Sequence, residues 1–287
     1  MRDEPGEVAV KQVLVSTATL PMAVRRAFYD YEGIFEAYEK LEADGVELVF
    51  LPEWDSGRPP VTPTSADWQV TSKIESSEIV DLCVSKGIPI PIVHINRDVG
   101  TRISSISKDD VRIGQRILDD NLAAATVAGS EIGVLHLWDT YSKSIDIKTV
   151  FDRVHEVSKD YEIKLAIENI PISDPSLTAA AVWERLEEIM PQDYGFTLDL
   201  NWCSLYDNFA ELAAHIDRIM HVHVQGAVSR PEEGVETMVP RVGQLDILSS
   251  LSELCSMGYD RTITLELNRP TGLHDFEAAL SMIASRI

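Results

Sequence analysis

The chain has 287 residues, 47 of them acidic and 25 basic, for a formal net charge of −22. A surface this negative repels phosphate backbones and anionic lipid, which argues against nucleic acid or a membrane as a main partner. No apolar run reaches about 18 residues, so no transmembrane helix is expected.

The N-terminus, Met1-Arg-Asp-Glu-Pro-Gly-Glu, is polar and acidic and resembles no signal peptide. Residues 1–10 read as a short N-terminal extension. Cys83, Cys203 and Cys255 are odd in number and lack CxxC spacing, as expected of buried thiols in a cytoplasmic protein. Strands are expected at Gln12–Thr17, Val46–Leu51, Pro91–Ile95, Ile132–Trp138, Lys164–Glu168, Gly195–Leu200, Ile219–Val224 and Thr262–Leu267. Their near-continuous Val, Ile and Leu content suits parallel strands buried on both faces. Between them, Glu32–Ala43, Asp109–Ala128, Ile147–Lys159, Leu177–Met190, Leu245–Met257 and Asp275–Ser285 carry apolar residues at helical spacing. Gly45, Gly87 and Gly258 are read as left-handed caps just past helices.

Eight strand–helix pairs point to a single-domain (β/α)₈ barrel, a TIM barrel, over residues 1–287. The runner-up is a doubly wound open sheet, but no Gly-x-Gly-x-x-Gly turn follows the first strand. Two segments exceed ordinary loop length, Glu53–Ser72 and Gln225–Gly243. Long connections after barrel strands build and cover active sites.

Four strands in the second half each end in a metal-ligating residue: Glu168, Asp199, His223 and Glu266. Steps of 31, 24 and 43 residues separate them, about one strand–helix unit each. A barrel gathers the C-terminal ends of its strands on one face. Three carboxylates brought together there cannot all stay ionised without a cation. Separate salt bridges would be the plain alternative, but no Lys or Arg lies inside these strand ends. Oxygen-rich coordination with one imidazole favours Mn²⁺, Mg²⁺ or Co²⁺ and is also compatible with Zn²⁺. His94 and His136 close the third and fourth strands and, with Trp202 just past the sixth, are candidates to contact a polyol or cover a sugar ring. His221 faces the same side as His223, one layer deeper, where a satisfied core histidine is expected. Asn169 and Asn268 are candidates to orient the neighbouring glutamates.

With these residues in order, the chain resembles the xylose isomerase-like TIM barrels. That family spans sugar and sugar-phosphate isomerases and epimerases, inositol-catabolism proteins, dehydroshikimate dehydratases and endonuclease-IV-type enzymes. In it a Glu ends the fifth strand, an Asp the sixth, a His the seventh and a Glu the eighth; here Glu168, Asp199, His223 and Glu266 match. Two departures stand out. The family often has Asp-x-x-His after the sixth strand, whereas this chain has Asp199-Leu-Asn-Trp202, which speaks against a multi-zinc endonuclease site. Its ketose epimerases also place an Arg after the seventh-strand His, and Arg230 sits near that place at a loose spacing.

The resemblance implies a metal-dependent sugar or keto-polyol isomerase or epimerase. Glu168 and Glu266 would be the proton-transferring bases on opposite faces of the substrate, working through an enediolate. Asp199 and His223 would hold the metal with them. His94, His136, Trp202 and Arg230 would contact substrate. The same parts could dehydrate a keto-inositol or dehydroshikimate-like substrate; an endonuclease or a non-catalytic sugar-binding barrel are the further readings. A small sugar-derived substrate and a homo-oligomer are the expected partners.

Overall fold

The computed structural model describes residues 12–27, 30–51, 75–230 and 237–287. The segment Glu53–Ser72 and the extension 1–10 lie outside the described residues. Each expected apolar run forms a strand. In chain order the elements begin with β1 (Gln12–Ser16), α1 (Leu20–Val24), α2 (Tyr31–Tyr38), β2 (Gly45–Val49), α3 (Ser76–Lys86) and β3 (Ile92–His94). Next come α4 (Asp98–Ile103), α5 (Lys108–Ala128), β4 (Ile132–Leu135), α6 (Ile147–Ser158), β5 (Lys164–Glu168), α7 (Ala179–Glu187) and β6 (Gly195–Asp199). The chain ends with α8 (Leu200–Tyr206), α9 (Phe209–Ala213), β7 (Ile219–Ser229), β8 (Thr237–Val239), α10 (Ile247–Ser256), β9 (Thr262–Leu267) and α11 (Leu273–Ala284).

Parallel pairing runs β1 to β6 in sequence, then β7, then β9, and β9 returns to β1. The sheet is therefore a closed eight-stranded TIM barrel with helices between its strands. Helix starts follow side-chain capping: Ser107 accepts from the Asp110 N–H at the head of α5, and Asp146 and Asp246 do the same for α6 and α10. Gly87 and Gly258 have φ of 68° and 101°, past the ends of α3 and α10. Gly45, expected as a cap, instead opens β2; a Cβ there would lie 2.8 Å from the Pro89 carbonyl oxygen, so close backbone approach explains it.

The strand expected over Ile219–Val224 continues to Ser229, because its outer end pairs antiparallel with β8. Much of the segment expected as a long loop is thus a hairpin rising from the barrel rim. The connection after β3 holds a short helix of its own, α4.

Side chains alternate along each strand. The outward set packs with the helices as one large core, including Trp183, Phe196, Leu198 and Ile263. Inside the barrel, Leu14, Ile92 and Val134 form a separate apolar plug, each fully buried. Above that plug the lining turns polar, and there the candidate site begins. Among the described residues no helix is long and apolar enough to cross a membrane.

Candidate active site

Strand register decides which polar residues meet. Thr197 pairs with His221, Asp199 with His223, and Gln225 with Glu266, while Glu168 pairs with Thr197. Glu168, Asp199 and His223 each bring a ligand atom within 4.8 Å of the other two. Glu266 stands one layer higher, level with Gln225, whose amide donates to its Oε2 at 3.2 Å. It belongs to none of the compact ligand groups among the described residues. It still faces the cluster electrostatically, since its charge acts on both Asp199 and His223.

Glu168 is 3% exposed and surrounded by imidazoles. Its Oε2 lies 2.8 Å from His136 Nε2 and 3.3 Å from His94 Nε2; its Oε1 lies 3.7 Å from His223 Nδ1. Burial opposes its ionisation, but the charge and hydrogen bond of His136, with attraction from His223 and His94, outweigh burial and hold the pKa well below the carboxylate range. His136, where burial dominates, is pulled below the ordinary imidazole pKa. For His94, burial is overcome by the bond and charge of Glu168, so its pKa rises. Its Nδ1 sits 2.9 Å from the Ile95 carbonyl oxygen and donates there.

Asp199 has the opposite fate. Burial and then the neighbouring charge of Glu168 push its pKa well above the carboxylate range. Its Oδ1 accepts the Asn201 and Trp202 N–H groups at 2.7 and 3.2 Å, capping α8. Its Oδ2 is buried without a partner, and so is His223 Nδ1. Buried polar atoms are almost always bonded. Two ligand atoms left bare beside an ionised carboxylate are the expected state of a site completed by a cation, and the donor set of two carboxylates and one imidazole fits a divalent ion. Asn169 clamps the Asp199 backbone: its Oδ1 accepts the Asp199 N–H at 2.6 Å and its Nδ2 donates to the Asp199 carbonyl at 3.1 Å. Asn268 N–H donates to the Gly226 carbonyl at 2.6 Å.

Trp202, on α8, lines a cavity of about 460 Å³ at the barrel mouth together with His136, Trp138, Arg97, Tyr141 and Arg241. Trp138 donates its indole N–H to the Pro171 carbonyl at 3.0 Å. Arg230 is placed away from this group, at the outer end of β7, where it pairs with Asp275 of α11.

One buried carboxylate escaped the sequence reading. Glu47 of β2 is fully buried inside the barrel, with His221 Nε2 at 3.1 Å and His223 Nε2 at 3.1 and 3.2 Å from its two oxygens. The signal was present: a lone carboxylate inside the apolar run Gly45-Val-Glu47-Leu-Val49. Two histidines at the matching inward positions of a distant strand supply its partners.

A family model for the xylose isomerase-like TIM barrel matches residues 35–286. The chain belongs to that family. A curated relative, the uncharacterised protein MJ1311 of Methanocaldococcus jannaschii, is 26% identical over 161 residues, which is 51% of this chain. The match spans only 54% of that relative's length. The D-allulose 3-epimerase of Methylomonas sp. superposes with a TM-score of 0.67 at 14% identity, covering 96% of this chain and 98% of that one. The D-psicose 3-epimerase of Clostridium cellulolyticum H10, solved with D-tagatose, gives 0.64 at 15% identity, covering 96% and 99%. At such identity these likenesses establish the shared barrel.

Proposed function

We propose that this family member is a metal-dependent sugar or keto-polyol isomerase or epimerase that moves a proton next to a carbonyl. The observation that carries the reading is the meeting of Glu168, Asp199 and His223 at the barrel mouth, with Asp199 Oδ2 and His223 Nδ1 buried and bare. Glu168, Asp199 and His223, with Glu266 closing from the layer above, would hold one divalent ion. That ion would supply positive charge beside the substrate oxygen that becomes negative, the largest single contribution in reactions of this kind.

The chain's own residues account for the rest. Glu168 is ionised and therefore ready to accept a proton. His136 and His94 restrain its Oε2, so the carboxylate presents a fixed edge to the mouth. Glu266 rises from β9, three places round the ring from β5, and is the second carboxylate for returning a proton from another direction. The aromatic wall of Trp138, Trp202 and Tyr141 suits the apolar face of a sugar. That similar barrels include sugar 3-epimerases supports the same reading.

Metal analysis of the purified protein and a proton NMR time course in D₂O with a panel of ketoses and keto-inositols test this. One Mn or Co per chain, with solvent deuterium entering an unchanged carbon skeleton, is the expected result. Loss of water would mark a dehydratase instead. No metal uptake above pH 6 would end the metal-dependent reading.

A further inference from the structure

Glu47 sits one layer below the candidate metal ligands, fully buried and without access to solvent. Residues of neighbouring strands at the barrel base, Leu14, Ile92 and Val134, are apolar. A carboxylate in that place is costly unless donors surround it. The structure supplies two, and it shows which nitrogen of each ring faces the carboxylate.

Thr262 Oγ1 lies 2.8 Å from His221 Nδ1, and His221 Nε2 lies 3.1 Å from Glu47 Oε2. A bare ring nitrogen facing an ionised oxygen would be repelled, so His221 donates from Nε2 and its Nδ1 accepts the threonine hydroxyl. The same logic holds for His223, whose Nε2 lies 3.1 and 3.2 Å from the two carboxylate oxygens. Its hydrogen must stand on Nε2. Coordination is then left to Nδ1, which is buried, has no hydrogen-bond partner, lies 3.7 Å from Glu168 Oε1 and gives up any proton of its own when a cation binds.

We infer that Glu47 is a positioning residue: it locks the ring of His223, with Thr262 and His221 behind it, so that Nδ1 is offered to a divalent ion shared with Glu168 and Asp199. This rests on the metal-site reading above and adds a residue that touches neither ion nor substrate. Carboxylates that hold the far nitrogen of a ligating histidine fix its orientation and raise its basicity, and removing one typically costs about 10–100-fold in metal affinity.

Two measurements test it without any assay of turnover. Long-range ¹H–¹⁵N spectra of the metal-free wild type should show His223 protonated at Nε2, with that hydrogen slow to exchange. A bare Nε2 on His223 would overturn the inference, and this reading needs no variant to fold. Calorimetric titration with Mn²⁺ should then give one ion per wild-type chain. Glu47→Gln should bind Mn²⁺ about 10–100-fold more weakly, and Glu47→Asp, which keeps the charge, should fall between. Glu47→Gln binding as tightly as wild type would overturn the inference while leaving the metal site standing. Two ions per wild-type chain, one of them lost in Glu47→Gln, would overturn it too, because Glu47, His221 and His223 would then be ligands of the second. A wild type that takes up no Mn²⁺ would defeat the metal reading itself.

Discussion

Two carboxylates sit against imidazoles inside this barrel, and their surroundings separate them. Glu168 lies at the mouth, beside a His136 whose side chain is 23% exposed and a cavity of about 460 Å³. Glu47 lies beneath, with both of its histidine partners almost wholly buried. Both carboxylates are held ionised against the pull of burial by neighbouring rings. At the lower level the Glu47 carboxylate, both nitrogens of His221 and the Thr262 hydroxyl are joined in one hydrogen-bonded chain, so the arrangement is closed. At the upper level His223 Nδ1 and Asp199 Oδ2 are left bare, so the arrangement is open to a ligand. The same residue types are structural where the hydrogen-bond count closes and reactive where it does not.

That contrast is most severely tested at Glu168. If Glu168 is the proposed proton acceptor and ion ligand, Glu168→Gln removes both roles together, and turnover should fall by about 10²–10⁴-fold. Steady-state kinetics on whichever ketose exchanges deuterium will check this, and near-normal turnover would move catalysis away from the upper layer.

A smaller effect should come from pH. Burial, with the charge of Glu168, raises the Asp199 pKa; His223 is raised against burial by Glu47 and Glu266. Both shifts favour the protonated form that a cation has to displace, so affinity should fall as pH falls, by about tenfold per unit for each displaced proton. For His223 the loss begins above the ordinary imidazole value of about 6.5. Calorimetry in two buffers of different ionisation enthalpy counts the released protons. A flat profile between pH 6 and 8 would show that the upper layer is already deprotonated.

The smallest effect belongs to the closed layer. Thr262→Val removes the hydroxyl that satisfies His221 Nδ1 and should destabilise the fold by about 1 kcal/mol, a few degrees in thermal denaturation. A loss several times larger would mean that the lower layer is strung more tightly than a single hydrogen bond implies.

Much of this was legible in the chain alone. The alternation of apolar strands and amphipathic helices specified a barrel, because parallel strands buried on both faces must be nearly all apolar. Any charged residue closing such a run had to face the rim, and that reasoning singled out Glu168, Asp199, His223 and Glu266. The hairpin on β7 was not legible, since Gln225–Gly243 carries Pro231 and Pro240 and no two-residue turn signal. Glu47 was missed for a different reason: one polar residue within a buried strand is a packing exception until its partner is known. Its partners come from β7, 174 and 176 residues further on.

Local sequence by itself determined which residues line the barrel, because the two-residue period of a strand is a local property. Tertiary structure alone decided how high each residue stands and whom it meets. Register between distant strands sets Asp199 level with His223 and lifts Glu266 one step above them, and barrel closure brings Glu47 against the far side of the His223 ring. Those offsets arise from hydrogen bonding between strands, which no single segment encodes, and they separate the open layer from the closed one.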